Sequence, residues 1–159
     1  MDDTVVLRPG QRGDRPFIRT LAADAFAAYG DYGPLLLEWF ATPGVEATIA
    51  EDGGQPVGLT LVAFVADPEA AGFWVADVLA IAVAPSSRRR GLGRRLLQAV
   101  LARVVEAARR WPVRAVRLSV AEDNAPARAL FAGAGFQYTG RAESFYPRGQ
   151  RALHMRRPL

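Results

Sequence analysis

One junction constrains this chain more than any other stretch. An almost continuously apolar run, Phe73–Val83, gives way to the turn PSSRRRGLG, which leads directly into a helical pattern. Leu92, Leu96, Leu97, Val100, Leu101, Val104, Val105 and Ala108 fall on one stripe at helical spacing. A strand apolar on both sides needs covering on both, and a helix with one apolar stripe needs a sheet to lie on. The junction therefore predicts an α/β fold with this strand central in its sheet and the arginine- and glycine-rich turn at the strand's end.

The other segments supply the rest of such a fold. Thr4–Arg8 alternates and is rich in β-branched residues, the pattern of a strand. Asp14 reads as a helix N-cap, with Pro16 in the first turn and Phe17, Ile18, Leu21, Ala22, Ala25, Phe26 and Tyr29 at helical spacing. GDYGPLLLEWF breaks at its glycines and proline and restarts as a short helix around Pro34–Phe40. The runs Glu46–Glu51 and Val57–Val65 flank the turn DGGQP as a hairpin. Trp111-Pro112 ends the long helix and Val113–Val120 is the next strand. Asn124 then caps a helix with Pro126 in its first turn, closed by Gly133 and Gly135. Phe136–Arg141 and Arg151–Arg156 form a last strand pair around SFYPRG. The 159 residues contain no repeat or dividing linker, so one domain, 1–159, is expected, its mixed sheet carrying helices on both faces.

Composition excludes several chemistries. Without cysteine there is no disulfide, thiolate metal site or thiol nucleophile. His154 is the one histidine, and its expected role is structural; with no lysine, Schiff-base chemistry and a P-loop also drop out. No metal is expected. No apolar run approaches the ~18 residues of a membrane span. An opening with two acids reads as neither signal nor transit peptide, so a cytoplasmic protein is expected. Charge is uneven: residues 1–80 hold 4 Arg against 12 acids, and residues 81–159 hold 16 Arg against 4 acids. A half so basic suits nucleic acid or a phosphate-rich small ligand equally.

The turn decides which. Glycines let a backbone approach a ligand closely and bare consecutive N–H groups, and a helix N-terminus adds positive partial charge at the same point. That is a site for a diphosphate, with arginines to neutralise it. No GK[ST] follows and GxGxxG is incomplete, so it is neither a P-loop nor a dinucleotide fingerprint. Arg88-x-x-Gly91-x-Gly93 after the strand AIAV resembles the coenzyme A-binding motif of the GNAT superfamily of N-acetyltransferases. Asn124-x-x-Ala127-x-x-Leu130-Phe131, followed by Gly135-Phe136, resembles that superfamily's second motif, and LRPGQRGD and LHMRRPL are similar to its termini.

The resemblance implies a mostly antiparallel sheet of roughly six to seven strands with about four helices, and parallel strands splayed at the cofactor. It implies acetyl-CoA as co-substrate and an amine as acceptor, of a small molecule or a peptide, with direct transfer in a ternary complex. Main-chain groups of Arg89, Arg90, Gly91, Leu92, Gly93 and Arg94 would hold the pyrophosphate, with Arg88 and its neighbours adding charge. Ile81, Ala82 and Val83 would pair with the peptide-like pantetheine arm. Asn124, Ala127 and Phe131 would line its thiol end. The acceptor would be shaped by DAFAAYGDYGPLLLEWF and ESFYPRG. Dimers are common in such a family. Nucleic-acid binding falls to third place, behind a non-catalytic acetyl-CoA-binding module.

The acceptor amine must attack in its neutral form, which for an alkyl amine of pKa ~10.4 costs about 4.6 kcal/mol at pH 7. Asp77, eleven residues ahead of Arg88, has the spacing of an acid in the histone-acetylating branch and is the expected base. Two positions depart from the family pattern. Phe131 stands where many members have a proton-donating tyrosine, and Ser119 stands where N-terminal acetylating members have glutamate. Tyr146, or else Tyr138, is the expected substitute acid. Tyr32, Trp39 and Trp74 read as packing before substrate walls.

Overall fold

The computed structural model describes residues 4–159; residues 1–3, with the two acids that argued against a leader, lie outside them. In chain order the strands and helices are β1 (Val5–Pro9), α1 (Arg15–Ala25), α2 (Gly33–Ala41), β2 (Glu46–Asp52), β3 (Gln55–Ala66), β4 (Trp74–Val83), α3 (Leu92–Ala108), β5 (Val113–Ala121), α4 (Ala125–Gly133), β6 (Gln137–Ala142) and β7 (Ala152–Pro158). The strands form one seven-stranded sheet in the order β1-β2-β3-β4-β5-β7-β6. Among the described residues, only β4 and β5 pair in parallel. Helix α3 is the crossover that such a pair requires. This is the mixed, mostly antiparallel architecture with splayed parallel strands that the motifs imply.

Helix α3 begins and ends as its pattern predicts. Leu92, Leu96, Leu97, Val100, Val104 and Ala107 are buried, each large side chain contributing about 1.5–3 kcal/mol of burial free energy. Val105, read as part of the stripe, is half exposed and lies beyond its edge. With α4, this helix covers one face of the sheet, packing on Ala76, Val78, Val116, Leu118 and Met155. Helices α1 and α2 cover the other face over Ile49, Leu59, Leu61, Ala80 and Ala82. On that second face, β5 and β7 lie beyond both helices and carry polar side chains.

One expected cap differs. Asp14 does precede α1, but its side chain does not cap the helix. It takes the Arg8 guanidinium at 2.8 and 2.9 Å and the Gln11 N–H at 2.7 Å. A bidentate guanidinium is a stronger partner than a helix amide, and it holds the Asp14 carboxyl below the usual carboxylate range.

Candidate active site

The site begins with an irregularity in β4. Against β3, Ala80 faces Leu61 and Val78 faces Val62, so Leu79 is an extra residue, a β-bulge. Side chains alternate with period two along a strand, so one extra residue exchanges the faces. Ala76 and Val78 accordingly point to α3, while Ala80 and Ala82 point to α1 and α2. The bulge also bends the strand. The parallel ladder to β5 stops at Val78–Leu118, although β4 runs on to Val83 and β5 to Ala121. Beyond that rung the strands diverge, and the β4 edge of Leu79, Ala80, Ile81, Ala82 and Val83 has no ladder partner toward β5.

At the end of this free edge lies the arginine turn. A 3-10 turn over Pro85–Ser87 is followed by Arg89 at φ 64° and Gly91 at φ 75°. Gly91 is the N-cap of α3, in the left-handed region that favours glycine. The Arg95 N–H bonds to the Gly91 carbonyl at 3.1 Å, so the amides of Gly91, Leu92, Gly93 and Arg94 precede the first intrahelical bond of α3. A Cβ added at Gly91 would meet nothing within 4 Å among the described residues. Open space, convergent amides and a helix dipole fit a diphosphate. The arginines divide: Arg88 donates to the Val83 carbonyl at 3.1 Å and Arg90 pairs with Asp52 at 2.8 Å, while Arg89 and Arg94 are exposed. Leu92 takes part only through its backbone, since its side chain is buried against Val5, Ala50 and Leu96.

The divergence opens a cavity of about 300 Å3 between the strands. It brings together the expected Asp77, Ile81, Asn124, Ala127, Phe131 and Tyr146, with Ser119 beside them. Asn124 is at once a cap, accepting the Ala127 N–H at 3.3 Å. Phe131 is buried and edge-on to Phe136. Asp77 has a partner that its strand did not reveal: Arg117, opposite it on β5, donates to its carboxylate at 3.2 Å. Part of the carboxylate's accepting capacity is thereby committed.

Aromatic rings make the other wall. The Tyr146 ring lies 5.0 Å from Tyr29, 6.2 Å from Tyr32 and 5.0 Å from Phe145. Tyr29 donates to Asp123 at 3.3 Å. Burial, reinforced by Tyr32, Tyr29 and Asp123, raises the Tyr146 phenol well above its ordinary value, so it stays protonated as a hydrogen-bond donor. The segment of residues 143–151 is fastened over the cavity: Gln150 Nε2 donates to the Ala28 carbonyl at 2.7 Å and the Arg148 N–H to that of Tyr29 at 3.4 Å. Pro147 sits so close to Gly30 that a Cβ there would come within 2.9 Å of it.

Other expectations shift. Tyr138 is exposed in a separate groove with Arg128 and Arg141, apart from this cavity. Tyr32 and Trp39 pack against the core under α1 and α2, as expected, and also line the cavity, whereas Trp74 lies in a different depression beside Trp111. Phe26, Tyr29 and Phe145 also line the cavity, each within a segment expected to shape the acceptor but with no motif of its own to mark it. Among the described residues, no group of three or more His, Asp or Glu side chains is placed to hold a metal ion, and no helix is long and apolar enough to cross a membrane.

Residues 15–136 match the family model for the acetyltransferase (GNAT) family. Solved structures of similar fold include Arabidopsis thaliana NAA60 in complex with a bisubstrate analogue, with TM-score 0.83, 18% identity and 98% of each chain covered. Another is the ribosomal-protein-S18-alanine N-acetyltransferase from Escherichia coli, with TM-score 0.80 and 22% identity over 97% of this chain and 93% of that one. A third is a GNAT family acetyltransferase from Elizabethkingia anophelis with acetyl-CoA bound, with TM-score 0.78 and 16% identity over 99% and 100%. At these identities the likeness is one of fold. No curated protein matches the sequence.

Proposed function

The chain belongs to the GNAT acetyltransferase family, and from that premise we propose that it transfers the acetyl group of acetyl-CoA to an amine held in the aromatic-walled cavity. The observation that carries the reading is the continuity of three features: open amides at residues 91–94, the unpaired β4 edge, and the cavity where β4 leaves β5. The diphosphate binds the amides and the exposed Arg89 and Arg94. The pantetheine arm lies along Ile81, Ala82 and Val83 as an added strand. This places the thioester beside Asn124, Ala127 and Phe131, where a main-chain N–H of β4 receives its oxygen.

The acceptor is a cationic amine, of a small molecule or a peptide, received by Asp77 and the faces of Tyr29, Tyr32 and Tyr146. Asp77 draws the ammonium in and takes one of its protons. The neutral nitrogen then attacks the thioester carbon, the carbon–sulfur bond breaks, and the thiolate leaves toward the Tyr146 hydroxyl as hydrogen-bond donor. A thiol near pKa ~8.5 needs no more than that. Phe131 in place of a tyrosine favours a second reading, a module that binds acetyl-CoA without turning it over. The two separate on mixing the protein with acetyl-CoA and a panel of amines and following free thiol. Amine-dependent release supports the transferase; tight binding with no release across the panel supports the sensor.

A further inference from the structure

A polar pair that Asp77 does not account for begins at the cavity. Ser119 lines it from β5, at the position where the sequence departs from the expected acid. Directly across the β5–β7 ladder lies His154, the chain's one histidine, with Nδ1 2.8 Å from Ser119 Oγ. The imidazole is partly exposed, and the Phe145 ring stands edge-on to it at 6.0 Å. From β6, Gly140 faces it without a side chain. The charged groups two residues along the same face are Arg117 and Arg156, already paired with Asp77 and Asp67.

We propose that Ser119 and His154 form the relay by which the acceptor's second proton, lost as the amide forms, leaves the cavity. The proposal rests on the transferase reading above. In the tautomer protonated at Nε2, Nδ1 accepts and the serine hydroxyl donates. As the amine nitrogen bonds to the thioester carbon and the carbon–sulfur bond breaks, one proton passes from nitrogen to Ser119 Oγ. The serine's own proton passes to Nδ1, and the imidazolium releases a proton to solvent. Serine ends as it began, and the one charge the reaction adds to the cavity is that of the departing thiolate. Asp77, its carboxylate shared with Arg117, receives the ammonium and takes its first proton; the relay drains the second, which the nitrogen loses as it becomes an amide. Ser119 is the catalytic residue of the pair, because it faces the substrate; His154 acts through it.

The test compares kcat/KM against pH for the wild-type chain and for Ser119→Ala, His154→Gln and the double variant, with calorimetry of acetyl-CoA as the control for fold and cofactor binding. The relay predicts unchanged acetyl-CoA affinity and a loss of about 10²-fold in each single variant. It also predicts no further loss in the double variant, because both members serve one path. The acidic limb of the wild-type profile flattens in His154→Gln, and added imidazole restores part of the rate, responses that a merely structural histidine would not give. Single variants with wild-type kcat/KM and an unaltered profile would overturn the relay and leave the transferase reading standing. Acetyl-CoA binding without amine-dependent thiol release by the wild-type chain would overturn both.

Discussion

The two halves of the cleft are built in opposite ways. The proposed cofactor half is mainly one continuous stretch, Leu79 to Arg94, whose chemistry is largely main-chain: an unpaired strand edge, a left-handed glycine and the first amides of a helix. Asn124, Ala127 and Phe131 join it only at the thiol end. The acceptor half is side-chain chemistry assembled from distant segments, with Tyr29 and Tyr32 between α1 and α2, Asp77 on β4, Ser119 on β5 and Tyr146 before β7. A site made of backbone tolerates most side-chain changes and fails where backbone freedom or space is lost. A site made of side chains can be changed piecemeal.

The largest effect should come from closing the backbone site. Gly91→Glu forces a β-carbon into the left-handed region and sets a carboxylate beside the diphosphate, while the open space around Gly91 lets the fold persist. Acetyl-CoA affinity measured by calorimetry should fall by at least ~10²-fold, about 2.7 kcal/mol; unchanged affinity removes the proposed site. Asp77→Asn should leave that affinity alone and lower kcat/KM for the amine by the worth of a charged hydrogen bond, about 1.5–3 kcal/mol. Full activity would exclude Asp77 from the acceptor half.

Two buried carboxylates outside the cleft are held by arginines, so acid should loosen the fold. Asp67, its side chain fully buried, accepts from Arg156 at 2.8 Å and lies 3.7 Å from Arg114. The Arg156 hydrogen bond, chiefly, keeps the Asp67 carboxyl below the usual carboxylate range, as Arg8 does for Asp14. The unfolded chain therefore binds protons at pH values where these folded carboxylates do not. Their stabilisation is complete above the usual carboxylate range and is lost as pH falls through the lowered folded values. Asp67→Asn should cost about 2 kcal/mol in urea unfolding at neutral pH and flatten that acid dependence. The smallest effect is expected of Tyr146→Phe, which keeps the ring and removes one donor: a loss of about 0.5–1 kcal/mol in kcat/KM, with acetyl-CoA binding unchanged.

The same contrast explains what the sequence disclosed. Turn, helix start and strand end are local, so RRRGLG and the Leu92–Ala108 stripe could be read directly, as could the Asn124 cap. The bulge at Leu79 could not, because VADVLAIAV is apolar at every position but Asp77 and so shows no slip of period. Nor could the Asp77–Arg117 and Ser119–His154 pairs. The second depends on β7 inserting between β5 and β6, an order that strand patterns leave open. Tyr146 could be named as a candidate but not separated from Tyr138, since only the fastening of residues 143–151 to Ala28 and Tyr29 carries one ring into the cavity.

A crystal structure of the chain with acetyl-CoA tests the union of the two halves most directly. It should place the diphosphate oxygens within hydrogen-bonding distance of the amides of residues 91–94, and the acetyl carbon in the cavity between Ile81 and Asn124. Coenzyme A bound on any other surface, or an acetyl group directed away from Asp77, Ser119 and Tyr146, would contradict it.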